Sequence, residues 1–448
     1  MISKVKGTKD YDIVEYQIKD LVNLVFSDIC ANYGFKMIET PVLETSELFK
    51  RSVNESEIAK KEMYEFLDKS NRSLCLRPEG TASFVRAFIE NKWYTLVNEK
   101  FAYNMPMFRY EQPQKGRYRQ FYQAGIEFVG PKSYLKDFLV VQVAIDILEA
   151  LDIKYVLKIN SIGDKQTRAN YENALTEFLT KYQSQLSEIS QQRLKDKKVL
   201  RILDDKVDSK LPFMHKAPNI QDYLSKESKL YFEEIKGMLD FYDIKYYVAP
   251  ELVRGLDYYD EFVFEITVKS DKVGSQDTLI GGGRYSNLVA ELGGPDVSSV
   301  GFGFGIDRCI ELIRENIIEN TEPLQQMQNQ KVDIYFAASV SDENLEKLFH
   351  LAHYDLNGLT NFYHMDFHLM KSKKIYEKAK KLNAVFLITD DKLLPHNSFY
   401  IKNLITGDKM QFYLNSDGVI DLLKFINDAD VFEPEVVSDF IAQYESEV

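Results

Sequence analysis

The densest chemistry in the chain lies in FRYEQPQKGRYRQFYQAGIEFVG, residues 108–130. Arg109 closes an apolar stretch and Glu111 follows it. Arg117 and Arg119 then stand between a loop containing Pro and Gly and the aromatic Phe121. A guanidinium is planar, permanently charged and bidentate toward phosphate oxygens. An aromatic ring beside it can stack on a base. Two readings fit the pattern. One is a hairpin with a solvated basic tip. The other is a pocket wall, because Phe121, Gln123, Gly125 and Glu127 recur at period two and share one sheet face. An aromatic, an amide, a glycine and a carboxylate make a poor core and a usable wall.

Four shorter segments carry weaker signals. In LVRGLDYYDEFVFE (252–265), Arg254-Gly255 precedes Tyr258 and Tyr259. The pair suits a turn into an edge strand as well as an arginine brought close to a ligand. GGGRY (281–285) removes side chains where a chain or ligand must pass closely, or simply makes a flexible turn. It is neither a Walker loop nor GxGxxG. GFGFGIDR (301–308) alternates Gly and aromatic residues, which leaves room for something flat. Its Arg308 falls in the first turn of a helix, where a cation opposes the dipole at about 0.3–1 kcal/mol. A bound anion would offset that cost. In LRPEGT (76–81), Glu79 follows a proline in what is otherwise a simple turn.

Lys371, Lys374, Lys378 and Lys381 form one helical stripe, with Ile375, Ala379 and Leu382 on the inward side. The stripe is either a solvated face or a contact for a phosphate backbone. His350/His353 and His364/His368 have ligand-like spacing but no cysteine or HExxH context, so no metal site is expected.

The elements that must position these residues follow from periodicity. A helix is expected over 16–34, and a strand broken at Pro41 over 35–44. Residues 101–110 and 119–130 read as antiparallel strands joined by the charged loop. Residues 135–151 form an amphipathic helix, 165–240 a mostly helical insertion, and 259–268 a strand. Residues 298–316 run from strand into helix. The polar stretch 319–330 reads as a linker, and alternating strands and helices from 331 to 448 suggest a small α/β domain.

Bulk properties set limits. At 448 residues the chain forms two or three domains. A net charge of −13 argues weakly against nucleic acid, which a local basic patch would override. Cys30, Cys75 and Cys309 are too far apart for a zinc or disulfide framework. With neither a signal-type N-terminus nor a membrane-length apolar run, the expectation is cytoplasmic.

Taken together, these segments strongly resemble histidyl-tRNA synthetases of class II, over nearly the whole chain from KGTKDY near residue 6. ETPVLETSELF resembles the family's first class motif, at a dimer interface. FRYEQPQKGRYRQFYQAGIEFVG resembles the second, SSVGFGFGIDR the third, and LVRGLDYY and GGGRY the two histidine signatures. The resemblance implies an α+β fold: a class II catalytic domain (1–325) with a six-stranded antiparallel sheet flanked by helices, then a mixed α/β anticodon-binding domain (326–448). It implies a homodimer that uses ATP, with Mg2+ on the phosphates, to activate L-histidine and pass it to its tRNA.

The same resemblance assigns roles. Arg109 would hold the α-phosphate of ATP. Arg117 and Arg308 would clamp the outer phosphates, with Glu111 in the same site, and adenine would lie between Arg308 and Phe121. Arg254 would stabilise charge during attack by the histidine carboxylate. Glu79, Gly80, Thr81, Gln123, Glu127, Tyr258, Tyr259 and Tyr285 would form the histidine pocket, with Arg109 and Arg254 also binding histidine. Lys371, Lys374, Lys378 and Lys381 would touch tRNA. The chain departs from the family pattern at Tyr110, Gln112 and Ser286, where His, Arg and Asp are usual. The rival expectation is a non-catalytic regulatory subunit of histidine biosynthesis.

Overall fold

The computed structural model describes residues 2–52, 61–113, 116–203, 205, 207–252, 258–268, 278–319, 332–360, 362–429 and 434–446. The chain divides into two compact units, Met1–Asn316 and Ile317–Val448.

In the first unit, the strands are β1 (Lys36–Met37), β2 (Leu43–Thr45), β3 (Tyr64–Leu67), β4 (Ser73–Leu76), β5 (Lys100–Phe108), β6 (Gln120–Gly130), β7 (Val156–Gly163), β8 (Tyr246–Val248), β9 (Asp260–Thr267), β10 (Thr278–Arg284) and β11 (Ser298–Gly305). Eight of them form one sheet in the order β1-β5-β6-β11-β10-β9-β7-β8. The six inner strands pair antiparallel, and the short edge strands β1 and β8 pair parallel. The expected six-stranded antiparallel core is therefore present, with an extra strand at each edge. The strand expected over 35–44 is split: β1 joins the large sheet, while β2 joins a three-stranded sheet, β2-β4-β3. Pro41 lies in the break, where it cannot donate to a ladder.

The helix expected over 16–34 spans Ile13–Asn32, with the Asp12 carboxylate accepting from the Glu15 N–H. Helix Tyr134–Ala150 buries Phe138, Val141, Ile145 and Leu148 and packs on the sheet. The 165–240 segment holds helices Lys165–Thr180 and Lys226–Phe241 with short turns between them. It has its own core around Leu175, Leu179, Ile202 and Phe213.

GGGRY is no flexible turn. Gly281, Gly282, Gly283 and Arg284 lie inside β10, a central strand. The glycines are explained by their neighbours: a Cβ on Gly282 would stand 2.2 Å from the Gly301 carbonyl oxygen, and one on Gly283 2.6 Å from that of Phe262.

The second unit has β12 (Ile334–Ala337), β13 (Tyr363–Met365), β14 (Phe386–Thr389), β15 (Ser398–Asn403) and β16 (Lys409–Tyr413) in the order β13-β12-β14-β15-β16. The first three are parallel and the last two antiparallel, a mixed α/β sheet. Helices Ser416–Asn427 and Pro434–Ser446 were not anticipated. The expected linker lies almost wholly outside the described residues, and a boundary at 325 remains an expectation.

Candidate active site

Strand β6 carries the site. In register, Gly125 faces Tyr103 on β5 and Gly303 on β11, while Glu127 faces Gly301 and Gln123 faces Gly305. The period-two face of Phe121, Gln123, Gly125 and Glu127 is thus flanked by glycines of β11. Those glycines make space for the polar side chains. A Cβ on Gly301 would sit 2.2 Å from Glu127 Oε2, and one on Gly303 2.0 Å from Gln123 Nε2. The alternating aromatics Phe302 and Phe304 are buried.

Glu127 is buried and surrounded by hydroxyls. Thr81 Oγ1 donates to its Oε1 at 2.8 Å and Tyr103 OH at 3.2 Å, while Tyr285 OH donates to Oε2. Burial pushes its carboxyl up to about 8, against the pull of those hydrogen bonds. A second buried carboxylate, Glu79, accepts from the N–H groups of Thr81 (2.8 Å) and Ala82 (2.7 Å) at the start of helix Thr81–Glu90. Burial raises Glu79 as well, even at a helix N-terminus that favours negative charge. Tyr258 OH reaches Glu79 at 3.5 Å, and the Tyr258 ring meets those of Tyr259 and Tyr285 at centroid distances of 4.8 and 5.7 Å. Two acids and several phenols in an enclosed space are suited to a ligand that donates and accepts through ring nitrogens and an amine.

Beside this pocket lies a cavity of about 190 Å³ lined by Arg109, Glu111, Arg117, Phe121, Gln123 and Arg308, among others. Arg109 Nε donates to the Pro78 carbonyl at 2.8 Å, and its guanidinium lies 5.2 Å from the Phe121 ring centre. Glu111 pairs with Arg117 at 3.1 Å and stands 3.8 Å from Arg109. Arg308 donates to the carbonyls of Gly116 (3.2 Å) and Thr278 (2.6 Å). Burial, and then the neighbouring Arg117 and Arg109 cations, pull Arg308 below its ordinary value. Two guanidinium groups close enough to destabilise the charge on a third are a standing demand for an anion.

The structure thus gathers Arg109, Glu111, Arg117, Phe121, Gln123 and Arg308 around one cavity. Glu79, Thr81, Glu127, Tyr258 and Tyr285 form one hydrogen-bonded group, with Gly80 between the first two. Arg254 lies outside the described residues. The lysine stripe sits in the other unit on helix Ser372–Lys381. Lys371, Lys374 and Lys381 are exposed, but Lys378 is half-buried and bonded to Asp366. Ile375 and Ala379 face inward as expected.

Tyr103 was missed. It fills the space above Gly80 and Gly125, where a Cβ would come within 2.4 and 2.6 Å of its ring. Period two along FAYNMPMF and the hairpin register were its only sequence signals. Arg77 was also missed. Its guanidinium, fully buried, donates to the carbonyls of Pro106 (2.9 Å) and Thr40 and supports the loop that carries Glu79.

The departures have structural counterparts. Tyr110 supports Arg119, whose guanidinium lies 4.1 Å from the ring centre. Ser286 donates through N–H (3.2 Å) and Oγ (3.0 Å) to Asp260, so the adjacent strand supplies a carboxylate at this point. Gln112 is exposed.

A family model described as histidyl-tRNA synthetase matches residues 7–309, well over half of the chain. The chain belongs to the histidyl-tRNA synthetase family. A histidine–tRNA ligase of Mycoplasmopsis synoviae is 41% identical over 442 residues, covering 96% of this chain and 89% of the relative. The apo histidyl-tRNA synthetase of S. aureus superposes with a TM-score of 0.74 at 32% identity, covering 94% of this chain and 99% of the other. A Bacillus halodurans protein described as an ATP phosphoribosyltransferase regulatory subunit/histidyl-tRNA synthetase superposes with a TM-score of 0.61, covering 87% and 99%. At 20% identity it shares the fold alone.

Proposed function

We propose that the cavity holds ATP and the adjoining acid-and-phenol pocket holds histidine, so that the histidine carboxylate attacks the α-phosphorus. The chain is an ATP-dependent histidine–tRNA ligase, and ATP, histidine and tRNA are its substrates. The observation that carries the placement is the mutual approach of Arg109, Arg117 and Arg308 beside buried Glu127.

In-line displacement at phosphorus needs no protein nucleophile; it needs alignment and charge stabilisation. Arg109, oriented by the Pro78 carbonyl and Phe121, takes the α-phosphate. Arg117 and Arg308 take the outer phosphates, and Phe121 and Arg308 take adenine. Arg254, assigned by resemblance, stabilises the charge that develops on attack. Glu127 and the hydroxyls of Tyr258 and Tyr285 hold the imidazole, and Glu79 holds the amine. An analogue without ring nitrogens would leave these groups unpaired and be rejected.

Among the described residues, no group of three or more His, Cys, Asp or Glu could hold a metal. The donor set suits magnesium carried in on the phosphates, with Glu111 as the nearby carboxylate. When bound, the ion would neutralise phosphate charge.

The test is ATP–pyrophosphate exchange with each of the twenty amino acids: histidine alone should support it, and exchange driven by another amino acid would overturn the assignment. The regulatory-subunit reading is less supported, because the curated relatives at about 40% identity over most of the chain are ligases.

The second unit is proposed to bind the tRNA anticodon. Lys371, Lys374 and Lys381 are presented to solvent there, whereas Lys378 is partly neutralised by Asp366. Lys374→Glu should raise the KM for tRNA about three- to tenfold and leave adenylate formation unchanged, as expected for one lost phosphate contact; an unchanged tRNA KM would remove the stripe from the interface. The chain is further proposed to be a cytoplasmic homodimer that pairs through the region of β2 and helix Ser46–Ser52. Light scattering should give twice the chain mass, and an active monomer would contradict the pairing. Among the described residues no helix is long and apolar enough to cross a membrane.

A further inference from the structure

A cavity built for a triphosphate contains an aspartate. Asp307 lines it immediately before Arg308, is 3% exposed, and stands where a polyanion is expected. An unmasked carboxylate there would repel the ligand that the arginines attract. Both of its oxygens are engaged. The Tyr122 N–H donates to Oδ2 at 2.7 Å, and the hydroxyl of Tyr11 donates to Oδ1. Lys19 Nζ lies 3.4 Å from the Tyr122 ring centre and 5.0 Å from that of Tyr11, adding positive charge beside the two residues that hold Asp307.

Tyr11 comes from a part of the chain with no other assigned task. Its segment also reaches the loop that carries Arg117. The Arg119 N–H donates to the Gly7 carbonyl at 2.7 Å. Gly7 has φ +88°, and a Cβ there would meet Pro113 Cγ at 2.8 Å and Arg119 Cδ at 2.9 Å, so only glycine lets the segment lie this close. Lys9 sits between the rings of Tyr11 and Tyr118, 5.1 and 5.4 Å from their centres, and Tyr118 donates to Glu311 on helix Ile306–Glu319, which also carries Asp307 and Arg308. The N-terminal segment therefore joins the two pieces of chain that supply Arg117 and Arg308.

We propose that Tyr11 is a positioning residue for ATP: its hydroxyl holds the Asp307 carboxylate off the triphosphate, and the Gly7–Tyr11 segment seats the loop bearing Arg117. This rests on the assignment of the cavity to ATP. Exchange kinetics on full-length protein test it, with the parent's histidine-dependent exchange measured first so that failure of the two readings is distinguished. Tyr11→Phe keeps the ring and removes only the hydroxyl. It should raise the KM for ATP about fivefold or more while the KM for histidine stays within about twofold, a split that general loosening of the fold would not produce. On an Asp307→Asn background the charge to be masked is gone, so adding Tyr11→Phe should change the ATP KM by less than about twofold. An ATP KM within twofold of the parent in Tyr11→Phe, equal rises in both KM values, or an undiminished effect on the Asp307→Asn background would each overturn the proposal.

Discussion

Arg109→Ala should lower kcat/KM for histidine-dependent ATP–pyrophosphate exchange by about 10²–10³-fold, the usual cost of removing one preorganised donor from developing charge. The argument rests on how the side chain is held. Its Nε is committed to the Pro78 carbonyl at 2.8 Å and its guanidinium lies 5.2 Å from the Phe121 ring centre, so the remaining N–H groups are left to the cavity that Arg109 lines. Arg117 and Arg308 line the same cavity, Arg117 paired with Glu111 and Arg308 held by the carbonyls of Gly116 and Thr278. Arg109→Lys should recover little, because an ammonium keeps the charge and loses the fork. Exchange within about tenfold of the parent for Arg109→Ala would show that this arginine does not face the reacting phosphate.

Glu127→Gln should raise the KM for histidine about ten- to hundredfold, the range for a buried hydrogen bond that becomes charge-assisted when the imidazole binds and takes up the carboxyl proton. It should also change the pH dependence of stability. Burial raises the Glu127 carboxyl from 4.5 to about 8 in the folded chain. Between those values the folded state holds a proton that the unfolded chain has released. Stability from this group is therefore fully present below pH 4.5 and is lost as pH rises through 8. Glutamine does not titrate. The Tm of the parent without ligand should fall more steeply between about pH 5 and 8 than that of Glu127→Gln. Asp260, raised to about 6 by burial, slopes the same way in both proteins and cancels in the difference. Parallel Tm profiles would mean that Glu127 is ionised in the empty pocket.

These predictions draw on both levels of the molecule. Period-two spacing placed Phe121, Gln123 and Glu127 on one face, and that spacing is a local property of any strand. Helical periodicity located Tyr134–Ala150 to within a residue at each end for the same reason. The family of the chain was legible too, because its motifs are contiguous runs such as residues 108–130.

Tertiary structure decided what those residues meet. Glu127 finds Thr81 46 positions away and Tyr285 158 positions away, and Asp307 finds Tyr11 296 positions away. No periodicity reports such pairs, since they exist only once the strand order β5-β6-β11-β10 is set. GGGRY shows the limit most clearly. Glycines read as a turn when only their freedom is considered, yet here they occupy a central strand because neighbouring backbones leave no volume for a Cβ. Residue type and local spacing determined which groups were capable of the chemistry. Which of them share a cavity was settled by long-range strand pairing and close packing, whose partners are remote in sequence.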